Sequence, residues 1–582
     1  MVALACGAEG SGGDAAGIAA VPGTADARAG HANPGGMTMA HKRVLFDQAA
    51  RQKVLRGATA LADAVRVTLG PRSRRVLIGK AWGAPLVCDD GVTIAKEFSL
   101  KDPEEDLGAR MMRQAAERTG DAVGDGTSTA TIVAHAIFAD GLRNIAAGAN
   151  AMELKRGLER GLVAAVASLK QQSRPLSTKT EKAQVATISA HNDPRVGALV
   201  AEAVEKVGDD GVITVEEART TETVLEVVNG MQFDRGYLSP YFVTDPERME
   251  CVLQDAVVLL HEQKIAALVD FVPFLETVVK SGRPLLIVAE DVEGEALATL
   301  LVNRLRGTFV CCAVKAPGYG DRRKEMLEDI AVLCGGHVLS ADLGSKLDKA
   351  TLADVGRANR VVVTRETTTI VGGGGDKRRV AARIEQLRRQ VKEARTDYDR
   401  EQLQARLGRL AGGVAVIRAG AASEAELKAL KEAYDDAISS TKAALAEGIV
   451  PGGGLALLRA CEAVDIEIEK ARGDERTGLL VLRGALDAPA RQIAKNSGLD
   501  GGVIVERLRT AGGNIGLNAA TGEIVDLVQA GIIDATKVVR TALENAVSVA
   551  GVLLLTEATL VDVPEETKGA RPGDEGGIAD VA

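Results

Sequence analysis

The sequence predicts an α+β chain of several domains, with a βαβ-like middle inserted between two helix-rich flanks. Three observations carry this. The chain has 582 residues, too many for one hydrophobic core at roughly 150 residues per domain. Its first and last thirds carry apolar residues at helical period, whereas its middle alternates short buried-strand runs with helical patterns. No period of about 20–50 residues recurs, which sets aside solenoids and propellers.

In the first third, Leu55, Ala58, Ala62 and Val65 follow a helical period that stops at Thr68-Leu69-Gly70-Pro71. Two strand-like pieces follow, Arg75 to Ile78 and Leu86 to Cys88, and then Asp89-Asp90-Gly91, a turn signal. Long helices are expected from Leu107 to about Leu169. In the middle, Val257 to Leu260, Pro284 to Ala289 and Phe309 to Val314 read as buried strands. Helical patterns lie between them, at Leu268 to Val279 and Glu295 to Leu305. Glycines at Gly372 to Gly375 precede a charged helix with Ile384, Leu387 and Val391 on one face. A helix from about Ser423 to Gly448 starts with a capping-box pattern, Ser423 and Glu426. Its buried stripe is Leu427, Leu430, Tyr434, Ile438, Thr441 and Leu445.

Composition narrows the function. Only 2% of residues are aromatic, so cores must be built from Ala, Val, Leu and Ile. A net charge of -9 argues against nucleic acid or anionic membrane as the main partner. The cysteines are Cys6, Cys88, Cys251, Cys311, Cys312, Cys334 and Cys461, with no C-x-x-C pair. They read as buried thiols in a reducing compartment, not as a zinc site or disulfide framework. No apolar run reaches the ~18 residues of a membrane span. Residues 1–38 are rich in Gly and Ala and lack the basic start of a signal peptide. They read as a disordered extension, or as an upstream start with Met37 or Met39 beginning the protein.

Gly124-Asp125-Gly126-Thr127-Ser128-Thr129 is the most informative segment. It opens a helix, and a helix start offers unpaired N–H groups and partial positive charge to a phosphate. Asp125 fits such a site if Mg2+ stands between carboxylate and phosphate, both hard ligands. An ordinary N-cap explains the same residues. Thr68 to Pro71, taken alone, reads as a simple helix C-cap. Gly452-Gly453-Gly454 is a third glycine cluster. Asp435 and Asp436 are either a solvated pair or carboxylates able to orient water toward a phosphate. Neither a P-loop nor a Rossmann fingerprint occurs in its proper context.

The combination resembles the group I (GroEL-type) chaperonin family, from about Met39 to about Pro564. The most specific runs are Met231-Gln232-Phe233-Asp234-Arg235-Gly236-Tyr237-Leu238-Ser239-Pro240-Tyr241-Phe242 and Glu290-Asp291-Val292-Glu293-Gly294-Glu295-Ala296-Leu297. Leu55-Arg56-Gly57, Asp90-Gly91-Val92 and Leu410-Ala411-Gly412-Gly413-Val414 add to it. The resemblance implies a multidomain α+β chaperonin subunit. Its mainly helical equatorial domain would cover 39–171 and 447–564, and a small hinge-like intermediate domain 172–228 and 415–446. An inserted α/β apical domain would cover 229–414, and a flexible tail 565–582. Pro175, Gly230 and Gly413 fall at hinge positions.

The resemblance also implies an ATP-driven folding machine that captures non-native polypeptides. It implies two stacked seven-membered rings, a GroES-type co-chaperonin lid and a cytoplasmic location. ATP with Mg2+, and K+ as a further ion, would be its cofactors. Thr68, Leu69, Gly70 and Pro71 would surround base and phosphates, and Asp125, Gly126, Thr127, Ser128 and Thr129 would hold Mg2+ and the phosphate tail. Gly453, Asn518, Ala519, Ala520 and Asp534 would line the nucleoside. Asp436 would position the attacking water, with Asp90 as a second carboxylate. Tyr237, Tyr241, Phe242, Val272, Leu275, Leu297, Leu301 and Val302 would form an exposed apolar client-binding surface.

Four departures from the family stand out. Asp89 occupies the site where the family usually has Lys, which puts an anion near the phosphates. That exchange could weaken ATP binding by roughly a few kcal/mol if unscreened, with Arg72 or another cation as the offset. Ser73 and Ser128 are smaller changes, and the tail lacks Gly-Gly-Met repeats. Asp89 opens a second reading, a ring-forming binding protein with poor hydrolysis. Retention of Asp90, Asp125 and Asp436 favours the hydrolysing one.

Overall fold

A computed structural model describes residues 42–79, 85–208, 211–218, 220–246, 248–269, 271–340, 347–394 and 396–562. The expectations for residues 1–38, for Cys6 and for the tail from 565 lie outside them. The chain divides into two units, Met1–Arg43 with Asp562–Ala582, and Val44–Val561. In the first, Lys42 Nζ lies 4.0 Å from Asp562 Oδ1. Everything that follows concerns the second.

Its largest core joins the two ends of the sequence, with buried residues from 54–169 and from 450–554. The helices Asp47–Arg66, Pro103–Val123, Thr127–Ala146, Ala151–Gln172, Leu455–Lys470, Gly473–Ala485 and Thr536–Leu554 supply them. With few aromatics, these helices gain burial by packing backbone close to backbone. A Cβ on Gly57 would overlap the Glu105 carbonyl, and one on Gly108 would overlap that of Val54. The same reciprocal pairing joins Gly157 with Glu475 and Gly478 with Leu154. Small residues thus set the helix spacing, and dispersion contacts replace bulky side chains.

The middle of the chain builds a second core, drawn from residues 231–410, on a seven-stranded sheet. Cys251–His261, Leu285–Ala289 and Cys311–Lys315 run parallel, with Val257 opposite Leu285 and Leu285 opposite Cys311. The helices Val272–Ser281 and Gly294–Leu305 make the crossovers. This is the βαβ pattern expected of the middle third, and its strands are buried on both faces as parallel strands usually are. Four of the scarce phenylalanines, Phe233, Phe242, Phe271 and Phe274, are fully buried here.

A third, smaller core, drawn from residues 186–438, packs the helices Lys179–Ser189, Pro194–Val207 and Glu424–Glu447 on a three-stranded sheet. In that sheet Val414–Ala419 lies between Val212–Glu217 and Val224–Val228. Val414 is directly opposite Val228. The chain therefore leaves for the middle segment and returns from it at neighbouring points, as an insertion requires.

Three local readings need correction. Asp89-Asp90-Gly91 is not a plain turn. Asp90 caps the helix Gly91–Glu97, its carboxylate accepting from the Val92 N–H at 3.2 Å and the Thr93 N–H at 2.7 Å. The capping box at Ser423 is only half formed: Ser423 Oγ accepts from the Glu426 N–H, but the Glu426 carboxylate accepts from Ala422. The helix expected from Leu268 begins at Val272, where Pro273 stands in its first turn.

Candidate functional site

A cavity of about 500 Å³ opens where the first core meets the third. It is large enough for a nucleotide-sized ligand. Its wall contains Thr68, Leu69, Gly70, Pro71, Asp89, Asp90, Asp125, Gly126, Thr127, Ser128, Thr129, Asp436, Gly453, Asn518, Ala519, Ala520 and Asp534. Every nucleotide-site residue named from sequence is thus brought together, from segments up to several hundred positions apart.

Two helix starts face this space without side-chain caps. Gly124 ends the helix Pro103–Val123 at φ 71°, and Gly126 starts Thr127–Ala146 at φ 79°. Such backbone favours glycine, and it turns the chain sharply between two helices. No side chain caps Thr127–Ala146, so the alternative of an ordinary Asp or Thr cap is not what forms. Gly454, at φ 76°, starts Leu455–Lys470, again with no side-chain cap. Uncapped helix starts are the standard backbone cradle for an anion. Gly91 keeps this cradle open, because a Cβ there would lie 2.6 Å from Ser128 Oγ and 3.0 Å from Thr127 Oγ1.

Asp125 is held in place rather than used as a cap. Its Oδ2 accepts from Ser189 Oγ at 2.7 Å and Ser440 Oγ at 2.7 Å, and its Oδ1 accepts from the Gly126 N–H. Those serines come from the helices Lys179–Ser189 and Glu424–Glu447, so one carboxylate joins the first core to the third. Asp436 stands one helical turn before Ser440. Burial, with the nearby charges of Asp125 and Asp90, holds its pKa well above the ordinary carboxylate range. Asp534 lies on Ile533–Ala535, paired with Ile449–Pro451. Burial, then the charge of Asp125, raises it to about 7.

Around Thr68 to Pro71 the backbone is anchored from below. Asn496 Nδ2 donates to the Arg66 and Leu69 carbonyls at 2.9 and 2.8 Å, and Thr68 Oγ1 lies 3.2 Å from Ser128 Oγ. Arg72 is committed elsewhere, donating to the Ala520 carbonyl at 2.8 Å and the Ser497 carbonyl at 3.4 Å. Asp89 is paired with Arg75, whose Nε lies 3.2 Å from its Oδ2. Among the described residues no group of three or more His, Cys, Asp or Glu side chains could hold a metal. A hard cation here would take Asp125 and complete its shell from ligand oxygens or water.

Sequence reasoning missed Ser189, Ser440, Gln184, His191 and Asn192, which share the wall. Isolated serines within helices carry no pattern; only the packing of the third core on the first reveals them.

The eight residues expected to form an apolar surface do not share one environment. Phe242 is fully buried and Leu275 is 6% exposed, which corrects the open groove expected at those positions. On Val272–Ser281, Phe274, Leu275 and Val278 face the sheet, leaving Val272 only partly buried. Helical geometry makes this split, since one face of the helix packs on the core and the rest turns away from it. Tyr237, Leu297 and Leu301 are half-buried against the same core. Tyr241 and Val302 are exposed, at 64% and 45%, and so is Leu305 one turn beyond Val302 on Gly294–Leu305. The short turn Pro240–Phe242 packs against that helix.

The model of the TCP-1/cpn60 chaperonin family matches residues 61–270 and 268–564. The chain is 65% identical over 534 residues to Chaperonin GroEL 5 of Bradyrhizobium diazoefficiens, covering 92% of this chain and 99% of that protein.

Proposed function

The chain belongs to the TCP-1/cpn60 chaperonin family, as a bacterial group I paralogue with ATP-dependent protein-folding activity, and we propose that the cavity at residues 124–129 is its ATPase site. The observation that carries this is the meeting of two uncapped helix starts with Asp90, Asp125 and Asp436 in one cavity.

In this reading the backbone at Gly126 to Thr129 and the hydroxyls of Thr127, Ser128 and Thr129 bind the phosphate tail. Thr68 to Pro71 bracket base and phosphates. Gly453, Asn518, Ala519, Ala520 and Asp534 line the nucleoside. Asp125 would hold Mg2+, which when bound supplies charge neutralisation at the phosphates. Its fit is good: a serine-braced carboxylate faces the phosphate cradle and leaves room for ligand oxygens. K+ is proposed as a further ion of the same cavity. Asp436 orients the attacking water and accepts its proton. Burial and the neighbouring carboxylates raise its pKa above the ordinary carboxylate range, which makes it a stronger base toward the water's proton. Asp90 is the second acid, and its cap bonds fix its orientation toward the cavity.

The three cores correspond to an equatorial domain (39–171 and 447–564), an intermediate domain (172–228 and 415–446) and an apical domain (229–414). Clients bind through apical apolar surface around Tyr241 and Val302, with the half-buried Tyr237, Val272, Leu297 and Leu301 behind them. Exposed apolar area attracts the apolar segments of unfolded chains without sequence preference. A GroES-type lid, two stacked seven-membered rings and a cytoplasmic location complete the proposal. The six described cysteines, all free and buried, suit a reducing compartment. No described helix is long and apolar enough to cross a membrane.

Steady-state ATP hydrolysis tests the site. Asp436→Ala is expected to lower turnover by about 100-fold or more while nucleotide still binds. Equal turnover in the two proteins would remove Asp436 from the mechanism.

A further inference from the structure

The wall of the ATP cavity is unusually acidic. Five carboxylates line it, those of Asp89, Asp90, Asp125, Asp436 and Asp534, and no lysine or arginine does. Burial favours the protonated form of Asp436 and Asp534, but a triphosphate adds several negative charges to those of Asp89, Asp90 and Asp125, and a single divalent ion offsets only part of them. Like charges gathered in one cavity repel where water is partly excluded. A cation of this chain at the rim would add to the helix starts and the metal in offsetting them.

Arg75 is placed to supply it. It immediately precedes the strand Val76–Ile78, and Asp89 immediately follows Leu86–Cys88. These strands are antiparallel, with Val76 opposite Cys88, so the hairpin sets Arg75 beside Asp89 at the cavity edge. The guanidinium holds Asp89 through Nε alone. Among the described residues, no hydrogen bond from either Nη is found. The arginine side chain is 67% exposed and Asp89 21%, so the donor can reorient while its partner stays seated in the wall. Arg72 lacks this freedom, because both of its Nη atoms are already on backbone carbonyls.

Resting on the reading of the cavity as the ATP site, we propose that Arg75 is a phosphate ligand of that site. Nε stays on Asp89, and the Nη groups reach the phosphate tail. A guanidinium presents donors on two edges, so it can bridge two anions at once, which a lysine ammonium does with less geometric definition. Asp89 then acts as a positioning residue. The anion at this point of the wall is the mount for a cation.

The competing account is that Arg75 only neutralises Asp89 and stiffens the hairpin. Equilibrium binding of ATP, ADP and adenosine, with Mg2+, to the assembled full-length protein separates the two. The forms compared are wild type, Asp89→Ala, Arg75→Ala and the double variant. If Arg75 binds phosphate, removing it from the Asp89→Ala protein still weakens ATP binding, by about 10- to 100-fold for a charged hydrogen bond. ADP loses less and adenosine nothing, and Arg75→Lys restores part of the loss. If the double variant binds ATP as tightly as Asp89→Ala, or if adenosine falls in step with ATP, the proposal is overturned. Arg75→Gln repeats the measurement with the side-chain stem retained, should Arg75→Ala fail to assemble. Asp125→Ala provides the outer control. If it weakens ATP binding while the Arg75 variants do not, the cavity is the ATP site and Arg75 is no part of it. If wild type binds no Mg-ATP, both readings fall together.

Discussion

Arg248 Nη2 donates to Asp435 Oδ2 at 2.9 Å, tying the loop ahead of Cys251–His261 to the helix that carries Asp436. The pair joins the second core to the third, one residue from the proposed water-orienting acid. Burial raises Asp435, and the charge of Arg248 opposes that rise. Both side chains are about two-fifths exposed, so the pair contributes at most about 1 kcal/mol. If it restrains the helix before hydrolysis, Arg248→Ala should raise ATP turnover by about 2- to 5-fold. Wild-type turnover in that variant would show that the pair plays no part in timing.

Asp534 makes the nucleotide-free protein sensitive to pH. Its pKa is raised from 3.8 to about 7 in the folded state, so the native protein holds a proton that the unfolded chain has released. The stability this contributes is complete below the ordinary carboxylate value and is lost as pH rises through about 7. The slope is at most about 1.4 kcal/mol per pH unit. Urea midpoints should therefore fall between about pH 4 and pH 7 and level off above that, and Asp534→Asn should flatten that fall. An unchanged slope in the variant would assign the effect to other groups.

The apical residues divide into two classes that mutation can tell apart. Tyr241→Glu places a charge on an exposed surface, so the fold and the ATPase should survive while capture of a denatured client drops. Leu275→Glu buries a carboxylate against the sheet, at a cost of several kcal/mol that thermal denaturation would register. Equal melting points for the two variants would contradict the burial of Leu275.

The cysteines should be chemically quiet. Burial pushes the Cys88 and Cys461 thiols up to about 11 and those of Cys311 and Cys334 to about 12. Reactive cysteines need the thiolate and access to it, and these have neither at neutral pH. Iodoacetamide at neutral pH should label them only after denaturant is added. Rapid labelling of the native protein at any of the four would mean that its core opens readily.

Much of the secondary structure was legible because period and punctuation are local properties. Val257 to Leu260, Pro284 to Ala289 and Phe309 to Val314 read as buried strands and are parallel neighbours. The stop at Gly70-Pro71 and the start at Gly126 needed only the chemistry of glycine and proline. The residues Asp125 to Thr129 and Asp436 were legible as candidates for phosphate chemistry, each beside an ordinary structural explanation, whereas Asn518 to Ala520 and Asp534 were named only through resemblance. Local reasoning failed at Asp90, taken for a turn, and the resemblance misplaced Leu275 and Phe242, which are buried rather than exposed. In each case the sequence does not say which neighbour the segment meets.

The sequence by itself determined the helical flanks, the strand-rich middle and the family, since apolar period and motif identity are written residue by residue. Tertiary structure alone decided that Ser189 and Ser440 brace Asp125, that Arg75 meets Asp89, and that Leu275 faces inward. Those relations join residues far apart in the chain or on opposite strands of a hairpin, and they depend on how close two backbones come. No window of sequence carries that distance; it is set when glycine-lined helices and paired strands pack.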